Sequence, residues 1–243
     1  MIARCTVRSE EFFAEALAHH GPHHGEGVSY TRGPRSRRVD HPGTGTVGPV
    51  QDEPATAMTL VLVRHGESTW NEMKVVQGQT EGARLTDLGR TQALEAARSL
   101  DGQRFDALYS SDLGRATETA AVFAEFLGLP VTTTEALRER CFGVREGRST
   151  TELTSPVTGI SDGVVVDPTA RPQDGESLDD LHRRVGALVE QLRDEGGPGR
   201  VLLVTHGGTI RAIRAYCAGR SMDGLEWDVV DNASVWTVNV ERH

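Results

Sequence analysis

Two runs in this chain are apolar at every position, Leu60-Val61-Leu62-Val63 and Val201-Leu202-Leu203-Val204. A strand with one face in water alternates apolar and polar residues, so these runs must be buried on both faces. The segments between them follow a different period. Leu178, Leu181, Val185, Leu188, Val189 and Leu192 form a one-sided helical stripe. Strands alternating with one-sided helices predict an α/β fold, a three-layer αβα sandwich with a mostly parallel central sheet. Strands are expected at 59–64, 106–110, near 131–133, at 200–205 and near 234–240. Helices are expected at 86–100, 113–127, 177–194 and 209–217, with a long irregular stretch before 177.

The first 57 residues differ from the rest, holding five of the ten prolines and five of the nine histidines. Residues 9–20 are predicted as a short helix capped by Ser9, and no periodicity holds from 21 to 52. Residues 1–57 are therefore read as a disordered extension, and 58–243 as a single domain. Met58 directly precedes the first strand-like run, as it would if translation naturally began there. The cluster His19, His20, His23, His24 sits among Gly and Pro, with nothing to orient its rings, and is not read as a metal site.

With 26 basic and 35 acidic residues the net charge is −9. This balance argues against nucleic-acid partners, which need a basic face, and against a polybasic membrane anchor. No apolar run approaches the ~18–20 residues of a membrane helix. No signal-peptide core is present, so a cytoplasmic protein is expected, monomeric or homodimeric. Cys5, Cys141 and Cys217 are widely spaced and form no CxxC pair, which fits reduced thiols.

Parallel sheets bind ligands beyond the carboxyl ends of their strands. One such end reads Arg64-His65-Gly66-Glu67, and another Thr205-His206-Gly207-Gly208. A third reads Ser110-Ser111-Asp112, with Arg115 one helical turn further. If these strands are neighbours, two histidines and two arginines share one rim. Guanidinium forks match phosphate oxygens, so the set suits a dianion. A metal held by His65, His206 and Glu67 is the rival reading; fixed positive charge on Arg64 and Arg115 opposes it. Taken singly, each residue also has a plain structural reading. Arg115 can pair with Glu118, and Glu139 can belong to a solvated charge alternation.

Seven further stretches extend the pattern. They are LVRHGESTWN (62–71), Gln77-Gly78, LTDLGRTQA (85–93), YSSDLGRATETA (109–120), LRERCFGVREG (137–147), DGESL (174–178) and VTHGGTIRAI (204–213). Asn232-Ala233-Ser234 precedes the last strand. In this order they resemble the histidine phosphatase superfamily, which includes the cofactor-dependent phosphoglycerate mutases, from Thr59 to about Val240. The resemblance implies a phosphoglycerate mutase-like fold and a two-step transfer through phosphohistidine, with no metal and no cofactor. His65 would be the nucleophile, neutral and with its second ring nitrogen donating to a backbone carbonyl. Arg64, Arg115 and His206 would hold the phosphoryl oxygens, with Asn71 and the Gly207 amide as additional donors. Glu139 would be the general acid and then the base. Glu67, Asp87 and Gly89 read as structural, Trp227 and Trp236 as packing residues, and Glu190, Arg193 and Asp194 as a solvated helix face.

The same resemblance separates hydrolases from mutases. The mutases close a segment rich in basic residues over the substrate after the acid-bearing motif. Here residues 148–170 carry one basic residue, Arg148, and Lys74 is the only lysine of the chain. The expected function is therefore a phosphomonoester hydrolase of histidine acid phosphatase type, acting on a small phosphorylated metabolite. The alternatives are a phosphoglycerate mutase and a non-catalytic phospholigand-binding protein. Gln77, Gly78 and Arg145 are the candidates for substrate specificity. Arg145 stands where many phosphatase relatives carry an aromatic. Arg145→Ala is expected to raise KM for anionic substrates more than it lowers kcat, and steady-state kinetics showing KM unchanged across substrates would refute this.

Overall fold

The computed structural model describes residues 57–152, 156–194 and 199–241. The predicted extension, its helix over 9–20, the histidine cluster and Cys5 lie outside the described residues, apart from Ala57, which opens the first strand. The strands are β1 (Ala57–Arg64), β2 (Ala107–Ser111), β3 (Val131–Thr134), β4 (Ile160–Ser161), β5 (Val164–Val165), β6 (Arg200–Thr205) and β7 (Val235–Glu241). The helices are α1 (Thr69–Glu72), α2 (Asp87–Ser99), α3 (Gly114–Leu127), α4 (Leu178–Asp194) and α5 (Gly207–Cys217). Five strands make one sheet in the order β3-β2-β6-β1-β7, while β4 and β5 form a separate hairpin. All pairings in the main sheet are parallel except that of β7 with β1.

Both faces of the sheet are covered. Leu60, Leu62, Val201 and Leu203 point into one core with Leu181, Val185, Ile210 and Ile213 of α4 and α5. Val61, Val63, Leu202 and Val204 point into the other with Ala97, Ala116, Ala120 and Phe123 of α2 and α3. Alternate residues of one strand therefore enter different cores, which is why the runs are apolar throughout. Full burial of a Val or Leu contributes roughly 1.5–3 kcal/mol.

The helix ends follow local chemistry. Thr86 caps α2 by accepting from the Gly89 amide. Ser177 and Asp180 cap α4 reciprocally, each side chain accepting from the other's amide. Gly128, at φ +68°, ends α3 in the left-handed region.

The stretch 148–170 is more structured than expected. It contains 3₁₀ turns at Thr150–Glu152 and Pro156–Thr158 and the β4–β5 hairpin. Arg140, fully buried, ties it down by donating to the carbonyls of Thr158 (2.7 Å), Ala170 (2.9 Å) and Glu176 (2.7 Å). Burial pushes the Arg140 guanidinium down to about 10. Of the predicted solvated face of α4, Asp194 is exposed as expected, but Glu190 and Arg193 are not. Glu190 accepts a bond from the Tyr216 hydroxyl (2.7 Å) and pairs with Arg193, whose side chain is only 19% exposed. Tyr216 can lie against α4 because Gly186 has no Cβ to strike its ring. Trp227 and Trp236 pack as expected, under Arg211 and Arg214. No helix among the described residues is long and apolar enough to cross a membrane.

The loop after β1 crosses the first turn of α2 at backbone contact. A Cβ on Gly89 would strike the Glu67 carbonyl, and one on Gly66 the Gly89 carbonyl. Backbone cannot yield as a side-chain tip does. Gly89→Ala is expected to cost about 1–3 kcal/mol, read as a lowered urea midpoint; an unchanged midpoint would contradict this crossing.

Candidate active site

The register of β1 on β6 sets Arg64 beside Thr205. The next residues, His65 and His206, consequently meet, with ring centroids 5.1 Å apart and planes at 60°. The His65 amide donates to the Thr205 carbonyl at 2.9 Å. β2 lies on the other side of β6, so its last residue, Ser111, reaches His206 Nε2 at 2.9 Å. Arg115 enters from the first turn of α3. The strand ends predicted to share a rim do so, because β1, β6 and β2 are adjacent.

His65 Nδ1 lies 2.7 Å from the Gly66 carbonyl, which can only accept. Nδ1 therefore carries the hydrogen and Nε2 presents a lone pair. Burial, then Arg115, then Arg64, hold the imidazole well below the usual histidine value, so it is neutral around pH 7. His206 is depressed in the same way by burial and then Arg115.

The cationic groups around this pair are buried and incompletely bonded. Arg64 donates through Nη1 to the Val230 carbonyl (2.5 Å). Arg115 donates to the carbonyls of Gly78 (2.7 Å) and Thr80 (3.3 Å). Burial lowers both guanidinium groups, Arg115 to about 10. The Nε atoms of both arginines and Nδ1 of His206 are buried without a hydrogen-bond partner. Leaving such a group unpaired costs roughly 1–3 kcal/mol, which an anion's oxygens would recover. The N-terminus of α5 adds to this field. Its N-cap, His206, makes no side-chain capping bond, and Gly207 contributes a first-turn amide. Asn71 spends its side-chain oxygen on the Ser68 amide and on Asn232, leaving its NH₂ group to donate.

Glu139 meets this site from the segment after β3. Its carboxylate accepts from the amides of Gly208 (3.0 Å) and Arg140 (2.8 Å). A Cβ on Gly208 would occupy the place of this carboxylate, which explains a second glycine after His206. Thr205 and Thr209 hold the carbonyls of Leu137 and Arg138 at 2.7 and 2.8 Å.

Gln77, Gly78 and Arg145 have the following surroundings. Gln77 accepts a bond from the Ser68 hydroxyl. Gly78 is buried, at φ +49°, where a side chain would collide with Glu146. Its carbonyl serves Arg115. Arg145 is half-buried in a 3₁₀ turn, Gly143–Arg145. Glu118 bonds Arg84 and Arg90 instead of Arg115, so the surface-pair reading of Arg115 does not hold. Several residues were not found from sequence. Glu146 accepts from Gln79, Thr80 and Phe142, fastening the loop that receives Arg115. Asn232 donates to the His65 carbonyl and to Asn71. Arg211 stacks on Trp227 and bonds Asp228, and its Nη1 lies 3.3 Å from where a Gly207 Cβ would be. Spacing offered one signal for this last residue, since 207 and 211 share a helix face.

Comparison with known proteins bears on this arrangement. The profile of the "Histidine phosphatase superfamily (branch 1)" matches residues 60–243. The chain belongs to this superfamily. It is 32% identical over 75% of its length to a protein of Hydrogenobacter thermophilus named putative phosphoserine phosphatase 2, covering 89% of it. It is 35% identical over 67% of its length to a probable phosphoglycerate mutase of Photorhabdus laumondii, covering 79% of it. A mycobacterial glucosyl-3-phosphoglycerate phosphatase superposes with a TM-score of 0.64 at 32% identity, over 75% of this chain and 90% of that one. The mostly parallel sheet is thus the fold of a phosphatase from this superfamily.

The two buried histidines make stability depend on pH. Their folded values lie below the unfolded value of 6.5, so below that pH the unfolded chain binds protons that the folded chain refuses. Stability should fall as pH drops from about 6.5, by up to ~1.4 kcal/mol per pH unit for each histidine. His65→Asn should flatten this slope. Urea unfolding at pH 7, 6 and 5 measures it, and parallel slopes in the two proteins would show that His65 is not held neutral.

Proposed function

We propose that this chain hydrolyses phosphate monoesters of small metabolites by two transfers through His65. The observation that carries the reading is the set of buried, unpartnered donors, Arg64 Nε, Arg115 Nε and His206 Nδ1, around a neutral imidazole. Three phosphoryl oxygens would find them, with Asn71 and the Gly207 amide alongside. These groups oppose charge spread over the oxygens in the transition state.

In the first step His65 Nε2 bonds to phosphorus as the ester P–O bond breaks. Glu139 gives its proton to the departing oxygen. In the second step water loses a proton to Glu139 and bonds to phosphorus as the N–P bond breaks. Inorganic phosphate leaves, and His65 and protonated Glu139 are restored. No step needs a metal. The phosphatase relatives, and the single basic residue of 148–170, support hydrolysis over return of the phosphoryl group to a bound glycerate.

The test is phosphate release by the purified chain, with and without chelator, over a panel containing an aryl phosphate, alkyl phosphates and phosphoglycerates. Chelator-resistant hydrolysis is expected, falling at least ~10³-fold in His65→Ala. Efficient conversion of 3- to 2-phosphoglycerate with little phosphate release would establish a mutase instead.

A further inference from the structure

The segment that carries Glu139 belongs to no sheet, and beyond one 3₁₀ turn, Glu135–Leu137, to no helix. Its carbonyls must therefore find donors elsewhere. One side chain reaches four of them, while Thr205 holds Leu137 O, Thr209 also holds Arg138 O and the Arg138 amide also holds Glu135 O. Arg184, on α4, donates through Nη1 to Ala136 O (2.8 Å) and Arg138 O (3.0 Å), with Glu135 O at 3.4 Å. Its Nη2 reaches Glu139 O at 3.4 Å, which Gln79 also holds at 3.0 Å.

The same guanidinium grips Glu176 with two bonds, Nε to Oε1 at 3.0 Å and Nη2 to Oε2 at 2.8 Å. Glu176 returns to the acid segment on its far side. Its amide donates to the Cys141 carbonyl (2.8 Å), and its carboxylate accepts from the Cys141 amide (3.3 Å). Glu139 thus hangs between two gripped stretches, 135–138 and 141. Both side chains of the Arg184–Glu176 pair are largely buried, at 21% and 15% exposure. An exposed ion pair would carry little consequence. This one aims both Nη atoms of a planar fork at backbone carbonyls while Nε and Nη2 hold one carboxylate.

We propose that Arg184 is the positioning residue for the general acid, a role that rests on the phosphatase reading above. It touches neither phosphate nor nucleophile. It sets where the Glu139 carboxyl stands relative to a cradle built from other elements. The cradle comes from β1, α3 and α5, and the acid comes from a segment that Arg184 holds onto α4. Loosening the grip would displace the proton donor and leave phosphate binding intact. Misplacement by about 1 Å can cost ~10²-fold in rate. The loss must depend on the leaving group. An alkoxide needs the proton as it departs, whereas a nitrophenolate leaves without it. Lysine has three donors and no plane, so it can replace the charge but only part of the grip.

The experiment compares Arg184→Gln and Arg184→Lys with the wild type on 4-nitrophenyl phosphate and on the best alkyl phosphate of the panel. Inhibition by inorganic phosphate reports the cradle. Arg184→Gln should lower kcat/KM on the alkyl ester ~10²-fold, but kcat/KM on the aryl ester by less than ~3-fold, since this ratio reports the first transfer and not the water step that both esters share. Inhibition by phosphate should stay the same, and Arg184→Lys should recover part of the alkyl kcat/KM. Equal losses of kcat/KM on both esters, or weakened inhibition by phosphate, would overturn the proposal and leave Arg184 a support of the fold. Should Arg184→Gln fail to fold, Glu176→Gln must show the same split between esters, and equal losses there overturn the proposal as well. A wild type that hydrolyses neither ester would instead overturn the phosphatase reading, and is seen before any variant is made.

Discussion

The parallel pairing of β1 with β6 is the contact on which the site depends. Its register runs from Thr59 beside Arg200 to Arg64 beside Thr205, so the residues that follow must emerge together. Parallel strands end on the same edge, and side chains one step past the ladder face each other across it. His65 and His206, far apart in the chain, become neighbours through backbone hydrogen bonds alone. The apolar runs secure this register, since a slip of one residue would exchange the contents of both cores.

That junction gathers positive charge in the interior. Arg115 and the partly buried Arg64 lie against imidazoles that stay neutral through burial first and these charges second. Several carbonyls take part of the guanidinium donors, those of Val230, Gly78 and Thr80 among them. The loops carrying these carbonyls are fixed in turn, by Glu146 on one side and by Arg211 with Asp228 on the other. Such preorganised donors cost stability in the free protein, and under the proposed function they would stabilise a bound dianion. The arrangement also keeps roles apart: the cradle is made of strand ends and helix starts, while the acid comes from a strapped irregular segment.

Straps of this kind recur in the chain. Arg140 gathers carbonyls from Thr158, Ala170 and Glu176, and Arg184 those of Glu135, Ala136, Arg138 and Glu139. Arginine suits this work because its planar fork reaches several acceptors at once. The stretch 148–170 buries Ile160 and Val165 in the core, and buried Arg140 adds bonds to its carbonyls.

Periodicity and motif order made much of this legible. Runs such as Val201 to Val204 could only be central strands, and the stripe from Leu178 to Leu192 could only be a covering helix. Gly-rich ends after histidine marked the ligand edge. Sequence could not show the bonds that Glu146, Arg184 and Asn232 make, because many of their partners are backbone atoms distant in the chain. It missed the early start of α5 at Gly207, followed by Gly208, a weak helix former required there by the closeness of the Glu139 carboxylate. It also placed Glu190 and Arg193 in water, because a helical stripe does not reveal that Gly186 admits Tyr216 beside them. What the sequence determined by itself was the alternation of strand and helix and the residue types at each strand end, since these follow from local period and side-chain chemistry. Only the tertiary structure decided which ends adjoin, which donors stay unpaired and what holds the acid, since those depend on distances between segments that no local pattern encodes.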